Sequence, residues 1–436
     1  MKQWLRMVRF IFGLAFVVFP LAYAAAGGSH EQGAAQAKQI TLQYFQYNGE
    51  QKQWQDLFDK FTALHPNIRV QQRVITGGAS TYQEVLKTAM ASGTEPDFFR
   101  EWGGSLSGIM ISSGHVLPLN DYYAKYDWQK QVIGWAYNQV AQNGKLFGKS
   151  GNIYGVPVAT QAIAFWYSKA IWDKLGLTAP KTYAELEALN TKVRAAGIYP
   201  LTMGGRYDWM TMRLFDYLLE VTAGPALHDQ LLEMKANWDR PEVVQAFTLF
   251  KKWIDNWTVP GFLNTQPQDS HLPMYQGKAL YTIEGPWMAS TFAADGQDAS
   301  NYSFFLYPTD QTPARAEGFI EQLMIGADRP KANQEAAAEL INWYIQPQVQ
   351  ADHLKFDSTT GTMNVPTEGQ SPLIAKSLKA LASLRDTWLI LDQSLPEEPL
   401  HGYFRAQDDL AAGTITPEQA AKEVQQAVEK YKAENK

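Results

Sequence analysis

The chain has 436 residues and a formal charge of -6, and this length exceeds what one hydrophobic core normally holds, so we expect at least two domains. It contains no cysteine, which excludes a thiol enzyme, a disulfide-stapled module and a lipoprotein anchored through cysteine. The acidic balance argues against nucleic acid or anionic lipid as a partner.

The first 24 residues have the pattern of a signal peptide. Basic residues precede an apolar stretch at 10–18, and a small-x-small cleavage signal ends at Ala24. We therefore expect export, cleavage near Ala24 and a flexible tether over residues 25–38. No later segment has the length and the freedom from charge of a membrane helix, so we expect no membrane insertion after cleavage and a periplasmic product.

Strand and helix patterns alternate after the tether. The predicted elements are a strand at 40–45, a helix at 54–64, a strand at 68–75, a helix at 82–90 and a short strand at 96–99. This alternation predicts a parallel sheet with helices on both faces. Ligands bind outside the carboxyl ends of the strands in such sheets, which here are residues 47–50 and 100–104.

Residues 151–169 form a long extended stretch. Pro157 forbids a helix there, and Ile163, Phe165 and Tyr167 alternate as a strand does. The stretch is much longer than an average strand. Two interpretations stay open: a crossing between two lobes, or a long edge strand of one sheet.

The remainder of the chain is mainly helical, with strands predicted at 279–283, 304–307 and 319–325. Thr182 and Glu185 form a predicted capping box at the start of one helix, and Thr416 and Gln419 form another. The helix after Thr416 has many charges and no large apolar residues, so we expect it to lie on the surface.

Motifs for catalysis and cofactor binding are missing from the sequence. It has no phosphate-binding glycine loop, and its seven histidines have no metal-ligand spacing. Residues 104–108 resemble a nucleophile elbow, but Leu106 occupies the position of the serine. We therefore expect a protein that is not an enzyme and needs no cofactor and no metal.

Aromatic residues are abundant, with 14 Trp and 21 Tyr. Three tryptophans stand at predicted turns close to an acidic residue, in the pairs Glu101 with Trp102, Asp208 with Trp209 and Glu284 with Trp287. The apolar C–H faces of sugars suit flat indole rings, and their hydroxyl rims suit carboxylates, amides and arginine. A core role for each tryptophan is the alternative.

A series of short motifs runs along the chain from Ile40 to Lys436. They include Phe61-x-x-x-His65-Pro66, Gly151-x-Ile153-Tyr154-Gly155-Val156-Pro157, Trp166-Tyr167-Ser168-Lys169, Gly197-Ile198-x-Pro200-Leu201 and Gly285-Pro286-Trp287. In this order they resemble the extracellular solute-binding proteins of ABC importers, in the sugar-binding family similar to maltose-binding protein. Ser168 and Ile320 depart from the family, which often has Asn and Gly there, and this leaves close ligand contacts at those points open.

The resemblance implies an α/β, periplasmic-binding-protein-like fold, in which two α/β lobes are joined by three hinge crossings around a ligand cleft. The crossings are expected at 160–162, 321–322 and 358–363. The expected lobes are residues 39–160 plus 322–358 and, more helical, residues 161–321 plus 359–436.

The resemblance also implies a function and a set of ligand-binding residues. These are Asn48, Glu50, Glu101 and Trp102 on the first lobe, Gln161 and Glu321 at the hinges, and Asp208, Trp209, Glu284, Trp287, Tyr403 and Arg405 on the second lobe. The expected partners of this monomer are a mono- or oligosaccharide and an inner-membrane ABC permease. The alternatives are a periplasmic glycosidase or polysaccharide lyase, and a binding protein for a polyol or a sugar acid.

Overall fold

The computed structural model describes residues 39–46, 51–76, 78–149, 151–310, 315–384 and 386–435, with the backbone only at 78–80. The predicted signal peptide and tether, and the predicted site residues Asn48 and Glu50, lie outside the described residues. None of the helices described between residues 39 and 435 is long and apolar enough to cross a membrane.

The described chain contains ten strands and seventeen α-helices. The strands are β1 (Ile40–Gln46), β2 (Ile68–Val74), β3 (Phe98–Trp102), β4 (Val156–Ala162), β5 (Ala164–Ser168), β6 (Tyr199–Leu201), β7 (Ala279–Glu284), β8 (Tyr302–Leu306), β9 (Ala316–Ile325) and β10 (Thr387–Leu389). The helices of the first half are α1 (Gln51–Leu64), α2 (Gly78–Ala91), α3 (Ser105–Ser112), α4 (Asn120–Tyr126), α5 (Gly134–Phe147), α6 (Lys169–Lys174), α7 (Tyr183–Ala195) and α8 (Asp208–Leu232). Those of the second half are α9 (Pro241–Trp257), α10 (Leu272–Tyr275), α11 (Met288–Ala294), α12 (Lys331–Tyr344), α13 (Pro347–His353), α14 (Pro372–Ser383), α15 (Leu391–Ser394), α16 (Glu397–Ala412) and α17 (Pro417–Glu434).

The strands form two separate sheets. In the first sheet, β1 lies between β2 and β3 and is parallel to both, as the alternation of strand and helix predicts. The sheet is nevertheless mixed, because β9 returns from the second half of the chain and pairs antiparallel with β3 and β4. The second sheet has the order β6-β7-β5-β8. The fold is therefore an α/β architecture with two lobes.

The long extended stretch passes from one sheet to the other. Up to Ala162 it pairs with β9 in the first sheet, and from Ala164 it pairs with β7 and β8 in the second. Of the two interpretations of this stretch, the crossing describes its path. β10 also pairs with β9, so residues 387–389 belong to the first sheet, although the predicted second lobe contains them.

Side chains of successive strand residues enter cores on opposite faces of each sheet. Phe98 packs with α1 and α12 on one face of the first sheet, and Phe99 packs with α2 and α3 on the other. Phe165 and Trp166 divide in the same way between the two faces of the second sheet. Helices on both faces explain why these strands are apolar at consecutive positions.

Two predicted helix starts have side-chain caps. Thr416 accepts a hydrogen bond from the backbone of Gln419, whose side chain returns one to the backbone of Thr416, so that capping box is confirmed. Thr182 caps α7 in the same way, but the Glu185 carboxylate reaches the backbone N–H of Lys181 instead. The last helix, α17, buries one face of small apolar residues against the core around α8 and α9, which its charged sequence does not reveal.

Candidate functional site

A cavity of about 1080 Å³ lies between the two sheets. Its walls come from β3, β4 and β9, from the beginnings of α8 and α11, and from one face each of α3 and α16. The side chains that line it include Arg100, Trp102, Leu106, Ile109, Phe147, Gln161, Trp209, Arg213, Trp287, Glu321, Asp357, Asp392, Leu400 and Phe404. Strands of the first sheet and helices that pack on the second sheet therefore contribute to one site.

A charged cluster lies at the strand ends. Arg100 Nε is 2.6 Å from Glu321 Oε2, and Arg100 Nη2 is 3.4 Å from Asp357 Oδ2. Gln161 on β4 donates a hydrogen bond of 3.3 Å to Glu321 Oε1. The side chains of Arg100 and Glu321 are 4% and 6% exposed, so this ion pair is stronger and more rigid than one at the surface.

Asp357 is held as a carboxylate by the loop that contains it. Its Oδ1 accepts hydrogen bonds from the backbone N–H groups of Ser358 and Thr359, at 2.6 and 3.2 Å. Its Oδ2 lies 3.1 Å from His353 Nε2. Burial raises the pKa of Asp357, but the hydrogen bond and charge of His353, the charge of Arg100 and the N–H of Ser358 outweigh it and hold this pKa well below the usual range.

On the opposite wall, a buried arginine contacts two tryptophans. The Arg213 guanidinium carbon lies 4.5 Å from the ring centroid of Trp209 and 4.9 Å from that of Trp287. Arg213 follows Trp209 by four residues on α8, so both side chains project from one face of that helix. The contacts fix both indoles, which are half-buried in the cavity wall.

Glu284 anchors this arginine from the last residue of β7. Its Oε2 accepts a hydrogen bond from Arg213 Nη1, and both side chains are buried. His271 Nε2 lies 3.5 Å from Glu284 Oε1. Burial raises the pKa of Glu284, but the positive charge of Arg213 and the hydrogen bond from His271 lower it to a net value below the ordinary one. Glu284 therefore remains an anion behind the tryptophans.

A break in α8 builds a second buried cluster beneath the cavity. Gly224 has φ 71°, and the helix folds back there so that His228 lies between Asp216 and Glu220, at 2.8 and 2.7 Å. Burial lowers the pKa of His228, but the hydrogen bonds and negative charges of the two carboxylates raise it to about 9. The histidine is therefore a cation inside the protein at neutral pH.

Asp216 also fixes the segment that carries Asp392 into the cavity. Its Oδ2 accepts hydrogen bonds from Trp388 Nε1 at 3.2 Å and from the backbone N–H of Leu391 at 3.1 Å. Burial and the negative charge of Asp216 raise the pKa of Asp392 to about 6, although Arg213 lowers it. Asp392 is thus a cavity carboxyl group that ionises near neutral pH.

Gly104, just before α3, allows that helix to pack against the segment that carries Asp392. Its φ of 66° is in the left-handed region, and a Cβ there would lie 2.1 Å from the carbonyl oxygen of Gln393. Only glycine permits this approach. The start of α3 is consequently packed directly against residues 389–393, at one end of the cavity.

Five of the predicted site residues lie together in the cavity wall: Trp102, Gln161, Trp209, Trp287 and Glu321. Glu284 lies directly behind two of them through Arg213. The three tryptophans come from different elements, and all three are half-buried. The half-burial of Trp209 and Trp287 leaves part of each ring accessible from the cavity.

Glu101 and Asp208 lie beside the cavity and do not line it. The Glu101 side chain is buried and accepts a hydrogen bond of 2.7 Å from the backbone N–H of Trp102. Burial and the nearby charge of Glu321 raise its pKa to about 8, although the Trp102 N–H lowers it. Asp208 is half-buried and contributes to raising the pKa of Asp408 to about 6, for which burial is the main cause.

Tyr403 and Arg405 on α16 also lie away from the cavity. Tyr403 is fully buried, packs near Phe215 and Phe247 and donates a hydrogen bond of 2.6 Å to Gln407. Arg405 is exposed on the surface of α16. The aromatic side chain that α16 presents to the cavity is Phe404, because the helix turns about 100° per residue.

Sequence reasoning missed several cavity residues as ligand contacts. Arg100 could have been found from strand alternation, since it is two residues before Trp102 on the same face. Arg213 could have been found from its helical spacing to Trp209. No local pattern marks Asp357 or Asp392, which depend on loops from distant parts of the chain. Among the residues that the structure describes, no cluster of His, Asp or Glu could hold a metal ion.

Comparison with protein families gives the chain its classification. The family model described as bacterial extracellular solute-binding protein matches residues 47–351. The chain belongs to this family. That range begins just after β1, includes β2 to β9 and most of the cavity walls, and ends before α16 and α17.

Individual relatives of this solute-binding protein are distant. It is 24% identical over 292 residues to an uncharacterized ABC transporter extracellular-binding protein of Pyrococcus horikoshii, a match that covers 65% of this chain and 64% of that protein. It is 26% identical over 273 residues to a probable sugar-binding periplasmic protein of Mesorhizobium japonicum, covering 61% and 62%. The chain therefore spans just under two thirds of each of these relatives.

Solved structures share the fold over nearly the whole length. A chitin oligosaccharide binding protein superimposes with a TM-score of 0.77 at 21% identity, covering 90% of this chain and 98% of that one. At this identity the likeness concerns the fold.

Proposed function

We propose that this protein is the substrate-binding component of an ABC sugar importer. It captures a mono- or oligosaccharide in the cavity between its lobes and delivers it to an inner-membrane permease. It works as an exported, periplasmic monomer and leaves the sugar chemically unchanged. The hinge crossings, the ligand contacts and the lobe boundaries, with residues 387–389 moved to the first lobe, are parts of this proposal.

The observation that carries the proposal is the chemistry of the cavity wall. Three half-buried indoles, those of Trp102, Trp209 and Trp287, share the cavity with the charged groups of Arg100, Glu321 and Asp357. A sugar ring offers an apolar C–H face to an indole and a rim of hydroxyl groups to charged acceptors and donors.

The relatives support the same assignment. A relative from Mesorhizobium japonicum has the name probable sugar-binding periplasmic protein, and one structural neighbour is a chitin oligosaccharide binding protein. Family membership supports the association with an ABC permease.

Lobe closure provides the mechanism. A sugar that contacts β3 and β9 on one side and α8 on the other makes all its contacts only when the two sides approach each other. Closure is then driven by the difference in contact free energy between the open and closed forms. Each aromatic contact adds on the order of 1 kcal/mol beyond its buried area. Several such contacts with charge-assisted hydrogen bonds reach micromolar affinity, about -8 kcal/mol.

Isothermal titration calorimetry against a panel of mono- and oligosaccharides tests the proposal. We expect at least one sugar to bind with micromolar affinity and to change the tryptophan fluorescence. Trp287→Ala removes one indole from the cavity and is expected to weaken binding at least tenfold. Trp343→Ala is the matched control, because Trp343 is also half-buried but packs against Phe61 outside the cavity.

The glycosidase alternative needs its own control. The cavity contains Asp392, whose pKa is raised to about 6, and Asp357, whose pKa is lowered, and hydrolases use carboxyl groups with separated pKa values. Each sugar that binds is therefore incubated with the protein and its products are analysed. Turnover would replace the binding function by an enzymatic one, and a folded protein that binds no sugar but does bind a polyol or a sugar acid would change the ligand class.

A further inference from the structure

The cavity has two chemically different ends. At the inner end the side chains of Arg100, Gln161 and Glu321 are nearly fully buried and belong to strands of the first sheet. At the outer end the wall includes α3 and α16, and the polar side chains Gln83, Glu84 and Lys87 of α2 also line the cavity. Exposure increases from the inner to the outer end, and Ile109 on α3 is 54% exposed.

The cavity face of α16 is amphipathic along its length. Glu397, Leu400, His401 and Phe404 all line the cavity and are spaced i, i+3, i+4 and i+7, so they form one face of the helix. Leu400 and Phe404 are half-buried. Two large apolar side chains are thus presented to the cavity from this helix.

The cavity face of α3 presents two large apolar side chains between Ser105 and Ser112, which also line the cavity. Leu106 and Ile109 line it, together with Phe147 from the end of α5. Phe147 packs onto the helix at Gly108, where a Cβ would lie 2.7 Å from its ring. The absence of a side chain at Gly108 therefore brings a third apolar group to the same end of the cavity.

Branched aliphatic side chains are poor partners for sugar hydroxyl groups. Leu106, Ile109 and Leu400 have no hydrogen-bonding group in the side chain, and burying a hydroxyl without a partner costs free energy. The same side chains favour an alkyl or aryl group, because burying apolar surface is favourable. The 1080 Å³ of the whole cavity gives space for such a group beside a sugar ring.

We infer that the outer end of the cavity binds the apolar aglycone of a glycoside whose sugar lies at the inner end. The inference rests on the proposed function, since it defines the class of sugar ligand. The occupant is an alkyl or aryl group linked to the anomeric oxygen, and its contacts are the facing apolar side chains of α3 and α16. The ligand is bound as an intact glycoside, and no bond in it is broken.

Calorimetry with matched pairs of glycosides tests this inference. The probes are the methyl and hexyl β-glycosides of glucose, galactose, xylose and N-acetylglucosamine. Each fully buried methylene is worth roughly a fourfold gain in affinity. For the sugar that binds, we expect the hexyl glycoside to bind at least tenfold more tightly than the methyl glycoside.

Two variants test whether the tighter binding of the hexyl glycoside comes from contacts at the outer end. Ile109→Ser and Leu400→Ser are expected to reduce the ratio of hexyl to methyl affinity below threefold, because they weaken binding of the hexyl glycoside more than that of the methyl glycoside. Leu146→Ser is the matched control, because Leu146 is 50% exposed on α5 and does not line the cavity. Its ratio of hexyl to methyl affinity should equal that of the wild-type protein.

Four results would overturn the inference. Equal affinity for the methyl and hexyl glycosides would show that the outer end binds no aglycone. Equal weakening of both glycosides by Ile109→Ser and Leu400→Ser would show that α3 and α16 contact each other on lobe closure instead. Failure of every glycoside and every free sugar to bind would overturn the proposed function and this inference together, whereas binding of free sugars alone would overturn only the inference.

Discussion

Replacing Arg213 by methionine tests how much the buried ion pair with Glu284 and the contacts with Trp209 and Trp287 contribute to stability. The substitution keeps most of the side-chain length but removes the guanidinium between Trp209 and Trp287 and leaves Glu284 buried without its cation. Loss of one partner of a buried ion pair costs about 3–5 kcal/mol. Each cation–π contact adds on the order of 1 kcal/mol. We expect Arg213→Met to lower the free energy of unfolding by about 4 kcal/mol, in the middle of the range for a broken buried ion pair.

Urea denaturation at pH 7, followed by circular dichroism, measures this loss. Domains of ordinary stability have 5–15 kcal/mol available, so the variant stays folded enough to measure. Arg213→Met combined with Glu284→Gln is the key control. Glutamine removes the buried charge, so the double variant should regain about half of the lost free energy, on the order of 2 kcal/mol.

Two results would contradict this reasoning. A loss below about 1 kcal/mol for Arg213→Met would mean that the pair contributes no more than a surface salt bridge. A double variant as unstable as the single one would mean that the cost comes from the contacts with the two indoles and not from the unpaired Glu284. Tryptophan emission of the single variant distinguishes these cases, since freed indoles move into water and shift it to longer wavelength.

Two further predictions concern stability. The pKa of Glu101 is raised from 4.5 to about 8, so its protonated form stabilises the fold at low pH and this contribution is lost as pH rises towards 8. We therefore expect the free energy of unfolding of Glu101→Gln, relative to that of the wild type, to rise by on the order of 4 kcal/mol from pH 5 to pH 8, as measured by urea denaturation. A difference between variant and wild type that does not change with pH would contradict the raised pKa. Thr416→Ala should lower the free energy of unfolding by about 1 kcal/mol through loss of the α17 cap. Thr416→Ser should restore it, and a serine variant as unstable as the alanine variant would disprove a capping role.

The sequence was informative where a pattern is local. Alternation of strand and helix predicts the parallel arrangement of β1, β2 and β3, and the capping residues predict the start of α17. The antiparallel strand β9 was not predictable in this way, because its partners β3 and β4 are more than 150 residues earlier. Pairing over such distances depends on the whole topology and leaves no local periodicity.

Site residues illustrate the same limit. Core packing does not readily explain a large apolar side chain at a predicted turn, and this signal pointed to Trp209 and Trp287. On α16, however, Leu400, Tyr403 and Phe404 are all large and apolar, so helical spacing alone does not decide which of them faces the core. The structure places Tyr403 in the core and Phe404 in the cavity wall. Asp392 has no sequence signal, since its position depends on the contact between Asp216 and Leu391.

The packing of the last two helices has a consequence for how the protein is made. Leu410 on α16 and Val424 and Val428 on α17 are buried in the same core as Phe215 and Phe247, almost two hundred residues earlier in the chain. That core cannot be completed until the carboxyl-terminal end has been synthesised. Contacts between such distant segments form slowly. The two carboxyl-terminal helices and the core that they complete are therefore expected to reach their native packing late in folding.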